Sequence, residues 1–386
     1  MKVILFEDEK VNNFYPISRL RTVDEIRTGR WTQKERVSLQ FKTTPLSYSY
    51  REFFGDDFKA EGDTLFLNAR LKNFGFFCGL NNDMCVVNKD GEILGYRGDR
   101  IIKDGNFDGF EVITKELPLY NFIWEVIEDL HENLTGDLEN DGSLGKILSP
   151  INDFVYIRNK KNVYIGNNVC IGEGVVLSSE DAPIWIEDNV TIESHSFVKG
   201  PSYIGKGSKI KPGTILDVVA LGAVVKLCGE IEETIFQGYS NKQHLGFLGH
   251  AFVGEWVNLG AGTTNSDLKN NYSKVRVVLE GKSYDTGMQF LGAIIGDHTK
   301  AAINTTFNTG TIVEPFCNIF GRTYPPKYVP PFIWWGGESS AEYHLDKAIE
   351  TAVNVMKRRD KILDENYKKR ITKLFSETKT IRKEIK

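Results

Sequence analysis

No stretch of the chain approaches the roughly 18 uninterrupted apolar residues that a membrane-spanning helix needs, so such a helix is excluded. An excess of positive charge is also missing. The 48 lysines and arginines face 52 aspartates and glutamates, a formal net charge of -4. Nucleic acid is thereby excluded as the main partner, because phosphate backbones require a clear basic surplus. Cysteine is sparse: Cys78, Cys85, Cys170, Cys228 and Cys317 form no CxxC pair. Free thiols in a reducing compartment are expected, and a zinc cluster is not. The opening MKVILFEDEK lacks the apolar stretch and small-residue cleavage site of a signal peptide. It reads as the first strand of a cytoplasmic protein. The hydrophobic share of 41% and aromatic share of 12% suffice for a core and exceed what a disordered chain carries. A length of 386 residues suits two or three domains.

Residues 1 to about 135 have α/β character. Val3-Ile4-Leu5-Phe6 is a short buried strand, and Thr32-Gln33-Lys34-Glu35 has the form of a capping box opening a helix. Asp63 to Asn68 reads as a second strand. Met84 to Tyr96, with Asn88-Lys89-Asp90-Gly91 inside it, reads as a hairpin. Trp124, Ile127, Leu130 and Leu134 have helical spacing, which Thr135-Gly136 is expected to end.

From about 160 the period changes. Apolar anchors recur every six residues at Ile165, Ile171 and Leu177. After a three-residue slip they resume at Ile186, Ile192, Val198, Ile204, Ile210 and Leu216. The pattern returns at Val253 and Leu259, then at Ile295, Ala301, Phe307, Val313 and Ile319. A period of six fits neither an α-helix nor a flat sheet. It fits a triangular coil of short parallel strands, whose anchors point into a prism and whose small following residues turn the corners. At roughly 18 residues per coil, residues 162–320 supply about seven or eight coils. The alternative is an ordinary β-sandwich, which the unbroken run from Ile186 to Leu216 disfavours. Beyond Phe320, the stretch from Tyr324-Pro325-Pro326 to Trp334-Trp335 reads as an extended segment lying on a surface. From Ser339 the spacing of Leu345, Ile349, Ala352, Met356, Leu363, Tyr367, Ile371 and Leu374 is helical. Such a tail either caps the prism or packs on a neighbouring subunit. Lys357, Arg358, Arg359, Lys368, Lys369 and Arg370 read most simply as its solvated face, the alternative being a role against an anionic cofactor.

Two breaks in the hexads, Val218–Leu248 and Thr263–Leu291, mark where loops are expected to leave the coil and build a site. The first contains GYSNKQHLGFLG and is followed by VNLGAGTTNSD. Together they resemble the acetyltransferase half of the bifunctional UDP-N-acetylglucosamine pyrophosphorylase/glucosamine-1-phosphate N-acetyltransferases. The family pattern is S-K-x-x-H-L-x-Y-L-G, a short spacer, then V-N-x-G-A-G-T. Ser240, His244, Leu245, Leu248, Gly249, Val257, Asn258, Gly260, Ala261, Gly262 and Thr263 match it with spacing kept. The chain resembles more closely the sugar nucleotidyltransferases related to that enzyme, which carry the QGYSNKQH block and a reduced N-terminal domain.

The resemblance implies that His244 is the general base of an acyl transfer, the alternative being a structural loop histidine. An imidazole titrating near neutrality suits proton removal from an attacking amine. Substrate-binding candidates are Asn258, Lys211, Lys242, Glu230 and Asn265. Asn258 falls on the asparagine that contacts the sugar, or is a rung of an asparagine ladder. Lys211-Pro212-Gly213 stands where the family has Arg-Pro-Gly for the sugar phosphate. Two departures bear on the acceptor: Glu232 replaces a family lysine and Phe247 a family tyrosine. In the N-terminal part, Phe6-Glu7-Asp8-Glu9-Lys10-Val11-Asn12-Asn13 replaces a glycine-rich triphosphate loop, with acids of the wrong sign. Asn68 stands where a metal-binding aspartate is expected. Arg19, Arg21, Arg27, Arg30 and Arg36 either hold an anion or are surface arginines.

The expected architecture is α/β plus all-β. A nucleotidyltransferase-like α/β domain, degenerate, covers 1–140. A left-handed parallel β-helix of hexapeptide repeats covers 141–323, and the extended segment with a C-terminal helical tail covers 324–386. The expected activity is acyl-CoA-dependent N-acyl transfer to an amino-sugar phosphate or nucleotide-amino-sugar. The co-substrate is acetyl-CoA or another acyl-CoA, no metal is required, and Mg²⁺ enters only if the N-terminal domain is active. Alternatives are a sugar-1-phosphate nucleotidyltransferase and a non-catalytic sugar-nucleotide binder. The expected partners are a sugar phosphate or nucleotide-sugar and, by analogy, two further copies in a homotrimer, with neither nucleic acid nor membrane.

Overall fold

The computed structural model describes residues 2–49, 51, 62–102, 105–321, 323–337 and 339–383. The chain divides into two compact units. One comprises 1–14, 21–26 and 31–125; the other comprises 15–20, 27–30 and 126–386. The first unit is built on a sheet of β1 (Lys2–Phe6), β2 (Leu46–Tyr48), β3 (Thr64–Asn68), β4 (Met84–Val87), β5 (Ile93–Gly98) and β6 (Glu111–Thr114), in the order β2-β1-β3-β5-β4-β6. β1 is parallel to β2 and β3, and the expected hairpin is the antiparallel pair β4–β5. α1 (Gln33–Phe41) opens at the Thr32/Glu35 capping box. Val3, Leu5, Val37, Leu65, Leu67 and Phe77 share one core.

The second unit is a parallel β-solenoid followed by helices. One face is a ten-stranded sheet, parallel from Cys170–Ile171 to Ile333–Trp335 and closed by antiparallel Ser340–Glu342. Eight of its rungs lie between Cys170 and Ile319, within the expected seven or eight coils. The hexad anchors fill the interior: Ile165, Leu177, Ile186, Ile192, Val198, Ile204, Ile210 and Leu216 are fully buried, as are Val253, Ile295, Phe307 and Val313. Burial of this stack supplies its stability at about 25 cal/mol per Å² of apolar surface. Among the described residues, no helix is long and apolar enough to cross a membrane.

Three expectations need correction. No loop leaves the coil between Val218 and Leu248. The coil there is instead shortened: Lys226 pairs with Asn241, 15 residues on, where Asn241 pairs with Asn258, 17 on. Two long strands, Ile215–Leu221 and Glu230–Phe236, run through a corner, with Val218 and Glu233 at positive φ. The second break is a true excursion and carries the antiparallel pair Arg276–Leu279/Lys282–Asp285. The proline-rich stretch is a further coil rather than a surface segment. Tyr328–Val329 and Ile333–Trp335 add to the ladders, and Val329 and Trp335 join the core. Finally, the helical pattern before the coils is two helices, α2 (Ile123–Glu128) and α3 (Leu130–Glu139). Gly136 does not end the second, because burial of Leu138 outweighs the glycine's poor propensity.

One corner of the solenoid turns in the left-handed region in coil after coil. Early coils place Asn168, Asn189 and Gly207 there; later ones place Val224, Tyr239, Trp256, His298, Phe316 and Phe332. Asparagine and glycine tolerate that conformation, whereas bulky residues are strained in it. The late rings offset that strain by stacking: Tyr239 on Trp256 at 4.5 Å, His298 on Phe316 at 4.6 Å and Phe316 on Phe332 at 4.8 Å. The tail, α4 (Leu345–Lys357), α5 (Glu365–Glu377) and α6 (Lys379–Lys383), packs on this corner. Ala348, Ala352, Ile371 and Leu374 share a core with Phe316 and Phe332.

Candidate acyl-transfer site and the cavity beside it

His244 lies between the strands Asn241–Lys242 and Phe247–Gly249, where one face turns into the next. Its side chain is exposed, and its ring has no hydrogen-bond partner among the described residues. The loop is held from inside. Lys242 occupies a position where the repeat places an apolar anchor, and it is fully buried. Its Nζ donates to the carbonyls of Cys228 (3.2 Å), His244 (2.9 Å) and Gly246 (2.8 Å). Burial pulls its pKa from 10.5 down to about 8. Gly246 has φ +133°, and a Cβ there would sit 2.2 Å from the Thr263 carbonyl oxygen, so only glycine fits. Lys242 therefore sits in the core as a brace of the His244 loop.

Glu230 is exposed, and its peptide N–H donates to Gly246 O at 3.3 Å, which joins its strand to the same loop. Asn265 points inward and spans the Gly249 backbone, Nδ2 to its carbonyl at 3.0 Å and Oδ1 from its N–H at 3.1 Å. Both its ends are thus used in bracing the backbone. The Lys211 amine is engaged by Glu193 at 3.0 Å. Asn258 is exposed and stands in an outward row with Lys226, Asn241 and Lys300. It lines a cavity of about 440 Å³ together with those three residues and with Arg358 and Arg359 at the end of α4. His244, Glu230 and Lys211 do not line it. Arg358 and Arg359 are thus not merely a solvated helix face: Arg359 donates from Nη2 to Asn241 Oδ1 at 3.1 Å.

Two features escaped the sequence reading. His250 Nδ1 lies 2.9 Å from Asp267 Oδ2, and its ring stacks on Phe290 at 5.1 Å. The carboxylate fixes the imidazole's orientation. Nearby Glu232 is pushed up in pKa, by burial first; the neighbouring acids Asp217, Asp267 and Glu233 add to this. The arginines Arg19, Arg21, Arg27 and Arg30 are buried rather than on the surface. Arg19 is bound by Glu314 (2.9 Å) and Glu280 (2.8 Å), and Arg30 by Asp141 (2.7 Å) beneath Trp185. These pairs fasten the segments 15–20 and 27–30 within the solenoid unit.

In the first unit, Glu7 and Asp8, two of the three acids after β1, are neutralised internally. Glu7 binds Arg51 at 2.6 Å. Asp8 binds Arg70 at 2.6 Å, and Arg70 also meets Glu92 at 3.0 Å. Asn68 is fully buried, with Nδ2 on Asp8 (2.8 Å) and on Ile93 O (2.9 Å). A guanidinium therefore holds the place beside Asp8 and Asn68 where Mg²⁺ would need open oxygens. Among the described residues, no three metal-ligating side chains gather. This donor set does not fit the cation.

Residues 3–140 match the sugar nucleotidyl transferase family. A bifunctional sugar-1-phosphate nucleotidylyltransferase/acetyltransferase of Sulfurisphaera tokodaii is 32% identical over 171 residues, 44% of this chain and 40% of that protein. The bifunctional protein GlmU of Methanococcus vannielii is 26% identical over 221 residues, 50% of this chain and 51% of that protein. The matches thus span about half or less of these relatives' length. Among solved structures, a UDP-N-acetylglucosamine acyltransferase from Bacteroides fragilis aligns over 59% of this chain and 97% of its own, at 15% identity and a TM-score of 0.27. The relatives are transferases, of nucleotidyl and of acetyl groups.

Proposed function

We propose that the chain transfers an acyl group from acetyl-CoA, or another acyl-CoA, to the amine of an amino-sugar phosphate or nucleotide-amino-sugar. The observation that carries this reading is the His244 corner: an accessible imidazole on a loop whose carbonyls are pinned by the buried Lys242. In the transfer, the amine nitrogen attacks the thioester carbonyl, the C–N bond forms and the C–S bond breaks. His244 takes the amine proton and returns it to the departing thiolate. Exposed Asn258 offers an amide to the acceptor, and Glu230 a carboxylate beside the loop.

An outward row on the adjoining face supports a homo-oligomer. Tyr156, Val176, Phe197, Ile215 and Phe247 stand in register, interrupted only by Glu230. Leu245, next to His244, is 69% exposed. A second copy covering this apolar face would bring its surface against His244 and close the site, and three copies would satisfy all such faces. In this reading the first unit is not a working nucleotidyltransferase, which its internally paired acids support.

A second reading of the base favours His250, because Asp267 orients it. The test is acyl transfer by the full chain across amino-sugar phosphates and nucleotide-amino-sugars, with His244→Ala and His250→Ala in parallel. Loss of about a hundredfold or more in His244→Ala, with His250→Ala near wild type, supports the first reading. The reverse pattern transfers the role to His250.

A further inference from the structure

We infer that the cavity between the solenoid face and the end of α4 is a binding site for a pyrophosphate- or phosphate-bearing small molecule. Three cations, Lys226, Arg358 and Arg359, converge on it beside Lys300, whose pKa burial pulls down to about 7, and no carboxylate lines it. None of the four forms an ion pair among the described residues. The chain has 52 acids against 48 bases, yet none of those acids lines this wall. Like charges gathered without a counter-charge are destabilising until an anion enters.

The placement is built rather than accidental. Lys226, Asn241, Asn258 and Lys300 are successive rungs of one row, so their spacing is set by the ladder at about 4.8 Å per rung. The row from Lys226 to Lys300 therefore spans about 14 Å. That length suits an elongated anion with more than one phosphate contact, and the two amides between the lysines supply hydrogen-bond donors along it. Arg359 is fixed across the row by Asn241. Lys300 is anchored by the carbonyls of Trp256 (2.7 Å) and His298 (2.9 Å). Burial lowers the pKa of Lys226, and Arg359 and Lys209 lower it further; burial and Arg358 lower that of Arg359. An incoming anion relieves both effects.

This inference concerns binding and does not depend on which group carries out the transfer. Lys211, the residue that the resemblance assigned to a phosphate, is already engaged by Glu193, and the cavity supplies what that lysine does not. The experiment is isothermal titration of the full chain with inorganic pyrophosphate, with 3′,5′-ADP and with UDP. The protein is taken as wild type, as Lys226→Gln/Arg359→Gln and as His244→Ala. Saturable binding of any of the three by wild type is expected. The double variant should weaken it by at least about tenfold, since two charged contacts to the anion are lost. His244→Ala should bind as wild type does, even if it has lost all transfer. Preference for 3′,5′-ADP identifies a coenzyme-A-like ligand, and preference for UDP a nucleotide-sugar. Binding of pyrophosphate alone identifies a free phosphate source. No saturation by any probe at about 10 mM, or equal binding by the double variant, overturns the inference.

Discussion

The loop after β1 and the cavity wall of the solenoid handle charge in opposite ways. In the first, two of the three acids that follow β1 at the expected phosphate loop meet cations: Glu7 meets Arg51, and Asp8 meets an Arg70 that also holds Glu92, while Glu9 is exposed. In the solenoid unit, Lys226, Arg358 and Arg359 face a cavity with no acid in it. The same residue types therefore serve as internal fastenings in one place and as an open, unsatisfied surface in the other. Paired buried charges are costly to separate, because the survivor is left uncompensated. Unpaired cations on a cavity wall contribute little to the fold and are free to meet a ligand.

That contrast breaks first at Arg70. Arg70→Met strands Asp8, while Glu92 keeps Lys10, and the expected loss is about 3 kcal/mol in the unfolding of the first unit by urea. Acyl transfer by the solenoid should be unaffected at temperatures where both units stay folded. A stable Arg70→Met variant would mean that the network is not structural. The second effect belongs to Lys242. Folding lowers its pKa from 10.5 to about 8, so the unfolded chain binds more protons in that window. Stability should therefore rise with pH between about 8 and 10.5. The penalty present below that range, about 3 kcal/mol at full size, is gone above it. Lys242→Met should lack this rise when its unfolding is compared with wild type at both ends of the window. Its transfer rate should fall about tenfold, because the carbonyls of His244 and Gly246 lose their donor.

A smaller effect is expected at the left-handed corner. Val224 has φ +58°, where earlier coils carry Asn168, Asn189 and Gly207. Val224→Asn should raise stability by about 1 kcal/mol in chemical denaturation. The smallest is at the cavity: Lys226→Gln should change unfolding by no more than about 0.5 kcal/mol. A large loss there would make Lys226 a fastening like Arg70 and erase the contrast.

The solenoid was legible because its period is carried by buried aliphatic residues, and Ile186 to Leu216 all lie inside. The capping box at Thr32 was legible because it is a local hydrogen-bond pattern. What escaped was set by tertiary context. Lys242 interrupts the anchor series with a polar residue that three carbonyls satisfy, and nothing local signals this. The proline-rich stretch hid a coil, because its prolines outweighed Val329 and Trp335, which keep a 16-residue step from Val313 and Ile319. The row of bulky corner residues was present in the sequence three positions after each anchor, at Tyr239, Trp256, His298, Phe316 and Phe332. At the candidate site, the motif singled out His244 and Asn258, both of which are exposed. It did not show that Asn265 and Lys242 turn inward, nor that Arg358 and Arg359 return from the tail to the Asn258 row.

The most direct test is the rate of acetyl transfer from acetyl-CoA to amino-sugar phosphates and nucleotide-amino-sugars by the full chain, before and after His244→Ala. The expected result is measurable transfer that falls about a hundredfold or more in the variant while thermal unfolding is unchanged. Transfer retained in full by the variant would contradict the account.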